Sequence, residues 1–179
     1  MCRSSPKVVL ALTACLLSRV AWAQTIDVNS VAGVYKSVWH GCSDDECKER
    51  YRSENILEIV KHSRSSVYFR TELTFASGHA CHLWGIADVE GDALVYHGGA
   101  NSEHKQCVLR LHISADQIAL EDHDYACQVD SCSATGGYSG ASFELTTRRT
   151  IRYTPRILAS KEYAEAVAEY ERRPQRRAQ

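Results

Sequence analysis

Residues 67–97 read VYFRTELTFASGHACHLWGIADVEGDALVYH, and their alternation decides the fold class. Val67, Phe69, Thr71, Leu73 and Phe75 fall on one side of a period-two pattern. Tyr68, Arg70, Glu72 and Thr74 fall on the other. Successive side chains leave opposite faces of a strand, so this is a strand with one face toward a core. After Gly78 the pattern resumes, with Cys81, Leu83, Gly85, Ala87 and Val89 inward and His82, Trp84, Ile86 and Asp88 opposite. Glu90-Gly91-Asp92 is a turn signal, and 93–97 returns as the partner strand.

Outward from this stretch the same grammar repeats. Cys107, Leu109, Leu111 and Ile113 form another inward face, and shorter strands are expected at 31–38, 56–61, 117–121, 142–147 and 149–153. Short strands joined mostly by hairpins point to an antiparallel barrel or sandwich of about eight strands. The end of the chain differs. Ser160 suits a helix N-cap, Glu162 suits the first turn, and Tyr163, Val167 and Tyr170 recur at helical spacing. One amphipathic helix therefore closes the domain, Arg172 and Arg173 complement its negative end, and Pro174 stops it. Trp39 and Trp84 are expected in the core or beneath that helix, rather than in an exposed patch with Tyr68 and His82.

The first segment has the parts of a secretory signal. Arg3 and Lys7 precede an apolar run at 8–17, and Ala21-Trp22-Ala23 carries small residues where signal peptidase reads. That run is far shorter than the ~20 residues a transmembrane helix needs, so no transmembrane segment is expected. Leu12-Thr13-Ala14-Cys15 supports a second reading, a lipoprotein anchored through Cys15. The chain thus divides into a signal peptide (1–23), a disulfide-stapled β domain (24–157) and a C-terminal helix with a basic tail (158–179). An exported, periplasmic or secreted protein is the expectation.

Of the 8 cysteines, six remain after cleavage: Cys42, Cys47, Cys81, Cys107, Cys127 and Cys132. An even number outside the cytosol implies disulfides. The expected pairing is sequential. Cys81 and Cys107 both point inward from strands read as neighbours, and their link would be worth ~3–4 kcal/mol in the chain-entropy model. Cys42–Cys47 and Cys127–Cys132 would close short loops worth only ~2 kcal/mol each.

Charge narrows the partners. Without Arg3, Lys7 and Arg19, 18 of the 21 basic residues face 22 acidic ones, and four arginines lie in the last eight residues. An acidic body argues against nucleic acid and is compatible with a cationic partner. Asp44, Asp45 and Glu46 crowd into the Cys42–Cys47 loop, and they are read as a rigid acidic knob for such a partner. The plainer reading is a solvated loop neutralised by Lys48, Arg50 and Arg52.

Two catalytic motifs fail on context. Gly137-Tyr138-Ser139-Gly140-Ala141 has the spacing of a nucleophile elbow, but strand follows the Ser and no histidine lies beyond His123, so a Gly-rich turn is expected. The 8 histidines lack close metal-ligand spacing, and His79 and His82 fall on opposite faces of a strand. His82 and His112 share the outward side and could meet across strands. No metal or other cofactor is expected.

The run Gly78-His79-Ala80-Cys81-His82-Leu83-Trp84-Gly85-Ile86-Ala87, the Cys107-Val108-Leu109 strand, and Cys127-x4-Cys132 followed by Gly136-Gly137 and Phe143 resemble small exported bacterial β-domains. These are lipocalin-like in outline and largely uncharacterised, and some accompany lysozyme-inhibitor proteins of the envelope. A Gly often follows their last cysteine, where Ser133 stands here. The resemblance covers about residues 31–147 and implies a lipocalin-like barrel, with no functional residue carried over. The resulting expectation is a non-catalytic protein-binding domain of lysozyme-inhibitor or immunity type. The alternatives are a barrel holding a small ligand, an envelope assembly component, and a hydrolase or metal enzyme.

Overall fold

Alternation at 67–97 becomes three consecutive strands of a single antiparallel meander. The computed structural model describes residues 25–42, 46–100 and 102–173. The expected signal peptide with Cys15, the residues Asp44 and Asp45, and the tail from Pro174 lie outside them. A short helix, α1 (Val28–Val31), precedes eight strands. These are β1 (Gly33–Cys42), β2 (Arg50–Lys61), β3 (Ser66–Thr74), β4 (Ala80–Glu90), β5 (Ala93–Ala100), β6 (Gln106–Ile113), β7 (Gln117–Asp122) and β8 (Ser142–Glu144). A short helix α2 (Gln128–Ser131) lies between β7 and β8, and α3 (Thr154–Leu158) and α4 (Lys161–Arg172) follow.

Each strand pairs antiparallel with the next, in the order β1 to β8. The sheet curls into a nearly closed barrel, completed by a reciprocal bridge between Val34 and Arg149 (N···O 2.8 and 2.9 Å). Inward residues of every strand fill the interior. Tyr35, Leu57, Phe69, Leu73, Leu94, Leu109, Leu111, Tyr138 and Phe143 are fully or almost fully buried there. Among the described residues no helix is long and apolar enough to cross a membrane.

The C-terminal helix forms where expected. Ser160 Oγ accepts from the Tyr163 amide at 3.1 Å, satisfying one of the orphan donors of the first turn. Its apolar stripe covers the outside of β3 and β4, so Tyr68 and Ile86 are buried despite pointing away from the barrel interior. Trp84 packs into this second core, as the sequence suggested, whereas Trp39 lies half-buried on β1.

Two expected strands change character. The stretch 142–147 is strand only to Glu144 and then a 3-10 turn. Within 149–153 only Arg149 makes a β-bridge, and the chain turns into α3. Pro155 sits in the first turn of that helix, where its missing N–H costs nothing.

The pairing of the cysteines is corrected in two of three cases. Cys42–Cys47 forms as expected, but Cys81 joins Cys132 and Cys107 joins Cys127. Cys81 lies on β4 and Cys107 on β6, with β5 between them, so they are not on neighbouring strands. The chain after α2 instead lies along the start of β4. Cys132 bridges to Cys81, and Ser133 bonds Ala80 through its amide (2.9 Å) and its hydroxyl (2.8 Å from the Ala80 amide). Ser133 thus fastens this strand end.

A buried carboxylate ties α3 to the barrel. Glu58 on β2 is 2% exposed and accepts from Arg70 Nε (2.7 Å) and Nη2 (2.6 Å), and from the Tyr153 hydroxyl. Desolvation, then the bond to Glu58 and its charge, push the Tyr153 phenol up to about 12. Its raised value means this contribution is complete below pH ~10 and is lost only as pH rises through about 12. Glu58→Ala should lower unfolding free energy by about 2–3 kcal/mol, the range for hydrogen bonds to a charged group, because Arg70 itself can reach water. Urea denaturation of the two proteins measures the difference, and a loss below ~0.5 kcal/mol would mean that the network does not anchor α3.

Candidate functional site

Two surfaces stand out once the barrel is assembled: a two-stranded arm and a cleft in the wall. The arm arises because β2 outruns its second neighbour. β1 pairs with β2 from Gly33–Ile59 to Cys42–Arg50, whereas β3 pairs with β2 only from Ile56 to Lys61. Residues 37–42 and 50–55 therefore extend beyond the β2–β3 ladder as a ribbon about 20 Å long at ~3.4 Å per residue. Its root is fastened by Asn55 Oδ1 accepting from the Thr74 amide (2.9 Å) and by a Ser53–Thr74 hydroxyl contact (2.6 Å).

On one side of the ribbon Trp39 and Tyr51 meet edge to face, their ring centroids 5.6 Å apart. The other side presents exposed Val38, His40, Arg50 and Arg52. Lys36 (2.6 Å) and Arg52 (2.7 Å) both bond Glu54, and together they hold its carboxyl below the usual range. The Cys42–Cys47 bridge closes the tip. Of the expected acidic knob, Glu46 is exposed and ion-paired to Lys48, which brings in part the neutralisation the plainer reading foresaw.

The cleft arises where β4 and β5 separate. β3 and β4 pair along their whole length, from Ser66–Asp88 to Thr74–Ala80, but β4 and β5 pair only from Ala87–Tyr96 to Glu90–Ala93. The ring of Tyr96 lies between the parted strands. A Cβ at Gly85 would come within 2.2 Å of it and one at Gly98 within 2.8 Å, so only glycine admits the ring at either place. Its hydroxyl reaches Glu169 of α4 (3.0 Å), and the same carboxylate accepts from the Gly99 amide (2.9 Å). Burial and the Glu169 charge push the Tyr96 phenol strongly upward, so it donates throughout the neutral range. Across the gap, Arg173 Nη1 donates to the Ile86 carbonyl (3.0 Å), with its guanidinium over the rings of Tyr96 (5.0 Å) and Tyr170 (5.2 Å). Side chains of and just beyond α4 thereby replace ladder hydrogen bonds that the strands have lost.

Between α4, the parted strands and the Cys107–Cys127 bridge remains a cavity of about 890 Å3. Trp84, expected in the core or beneath the C-terminal helix, and His82 both line it. The one visible sign of the cleft in the sequence is Gly98-Gly99, which interrupts β5 where its register with β6 shifts.

The remaining candidates are structural in this fold. Ser139 Oγ accepts from the Asp122 amide (3.0 Å) within a turn, not at a strand-to-helix elbow. Asp122 is buried, and it accepts from the amides of Cys127 (2.9 Å) and Gln128 (3.0 Å) at the start of α2. Desolvation raises its carboxyl despite these bonds. His82 and His112 do not meet, because β5 lies between their strands; His112 instead contacts Glu121 (2.7 Å). Among the described residues no group of three or more His, Cys, Asp or Glu is placed to hold a metal. Comparison with protein-family models, curated proteins and solved structures finds no match.

Proposed function

We propose that this is an exported, non-catalytic protein-binding domain of inhibitor or immunity type, and that the β1–β2 arm is its binding element. The observation that carries the reading is the arm's reach beyond the sheet. A two-stranded ribbon is marginally stable alone, and this one contributes little to the barrel core. It is nevertheless stapled at its tip, which suits a rigid element presented to a partner. Three disulfides favour an oxidising compartment. The packed barrel interior leaves recognition to outer surfaces, which counts against a ligand held inside.

The acidic residues at the tip suit a cationic partner, and a cationic muramidase is the first to test. Replacing Asp44, Asp45 and Glu46 together with Ser should slow association about tenfold at low salt, with the difference fading above ~0.15 M. Folding stability should change by less than ~0.5 kcal/mol. Inhibition by both proteins is followed across a salt series. Equal inhibition at low salt would retire the acidic tip, and inhibition by neither would remove the lysozyme form of the reading.

A further inference from the structure

We infer that the cleft between β4, β5 and α4 is a binding site for a small organic carboxylate with an apolar body. The volume, about 890 Å3, falls in the range of small-ligand sites. Leu83, Trp84 and Ala166 supply an apolar wall. What distinguishes this cavity is which of its charges are already engaged.

All three carboxylates along it have partners. Asp130 accepts from the Ser102 amide (2.8 Å) and hydroxyl (2.6 Å), Glu169 from Tyr96 and Gly99, and Glu165 pairs with Lys161 (3.4 Å). The cations do not. Arg172 is exposed, and among the described residues it has no carboxylate partner. Arg173 uses Nη1 on the Ile86 carbonyl, while its buried Nε and Nη2 have no acceptor. Buried donors without acceptors cost free energy, and the two tyrosine rings compensate a desolvated guanidinium only in part. The unmet demand of the cleft is therefore for an anion, and guanidinium geometry suits a carboxylate.

The loops at its mouth point the same way. In the segments that lead into the lining residues Gln106 and Ala126, His104 (φ 62°), Asp124 (φ 54°) and Tyr125 (φ 55°) hold left-handed backbone, which is rare for a bulky residue such as Tyr125, itself 61% exposed. Strain of this kind gathers where a surface is shaped for a ligand. The Cys107–Cys127 bridge and the Ser102–Asp130 bonds fix both loops beside the cavity.

The inference is independent of the arm, so failure of muramidase inhibition leaves it standing. Dodecanoate is the probe, titrated into the oxidised protein below its micellar concentration, with tryptophan fluorescence read in a Trp22→Phe/Trp39→Phe background so that Trp84 alone reports. Dodecanoate should change the Trp84 signal saturably, and dodecyltrimethylammonium, with the same chain and opposite charge, should bind at least about tenfold more weakly. Arg172→Glu, at an exposed position in the last turn of α4, should weaken dodecanoate binding about tenfold, with only the small fall in melting temperature that an acid at a helix C-terminus brings. Arg173→Lys keeps the charge but loses the planar fork, and should weaken it by a smaller factor. Equal binding of the two amphiphiles, unchanged affinity in Arg172→Glu, or no saturable signal would each overturn the assignment.

Discussion

Replacing Cys81 and Cys132 together with Ala is expected to lower the unfolding free energy by about 4 kcal/mol, the chain-entropy value for a loop of roughly 50 residues. The two cysteines are 51 positions apart. At the usual scaling for a domain of this size, that loss lowers Tm by roughly 8–16 °C. The corresponding change at Cys42 and Cys47, 5 apart, should cost about 2 kcal/mol. That smaller loss falls on the arm rather than the barrel. Guanidinium denaturation of both double variants compares them, and an equal or smaller loss at Cys81 and Cys132 would contradict this pairing. More is at stake there than loop entropy, since the bridge holds the Cys132-Ser133 segment against the end of β4.

Tyr96→Ala should be at least as costly, about 3–5 kcal/mol, as for other large aromatics cut back in a packed interior. The ring is 5% exposed and packs on Phe69 with centroids 5.3 Å apart. Its loss would also leave Gly85 and Gly98 facing an empty space and deprive Arg173 of one of its two rings. Tyr96→Phe keeps the ring and removes only the bond to the Glu169 carboxylate, so about 1.5–3 kcal/mol is expected. Denaturation curves give both numbers, and exchange of the Gly99 amide gives a local reading. If Tyr96→Phe cost as much as Tyr96→Ala, the hydroxyl and not the ring would hold the parted strands.

The strands were legible because one face of each meets a core, and period two survives almost any tertiary context. Val67 to Phe75 and Cys81 to Val89 show this directly. The opposite side was harder. Tyr68 and Ile86 read as outward, and they are, yet α4 buries them. The apolar stripe of α4 says that it must cover something without saying which strands. Disulfide pairing failed for a related reason. Whether Cys81 meets Cys107 or Cys132 depends on β5 lying between β4 and β6 and on the chain after α2 returning along the start of β4, and no local spacing records either. The acidic tip was legible as composition, while the reach of the arm follows only from comparing the registers of β1–β2 and β2–β3.

Of the three bridges, Cys107–Cys127 is nested inside Cys81–Cys132, and that order has a consequence for how the chain matures. Cys127 and Cys132 are as close in sequence as Cys42 and Cys47, and short loops close most readily in an unfolded chain. Oxidation of the reduced protein therefore favours a Cys127–Cys132 link, which captures one thiol from each of the two bridges that belong to the barrel. Escape requires a free thiolate to attack that link and pass the sulfurs on, an exchange that takes seconds to hours without help. An oxidant alone traps such molecules. Efficient production of the folded protein depends on a catalyst that shuffles disulfides as well as one that makes them.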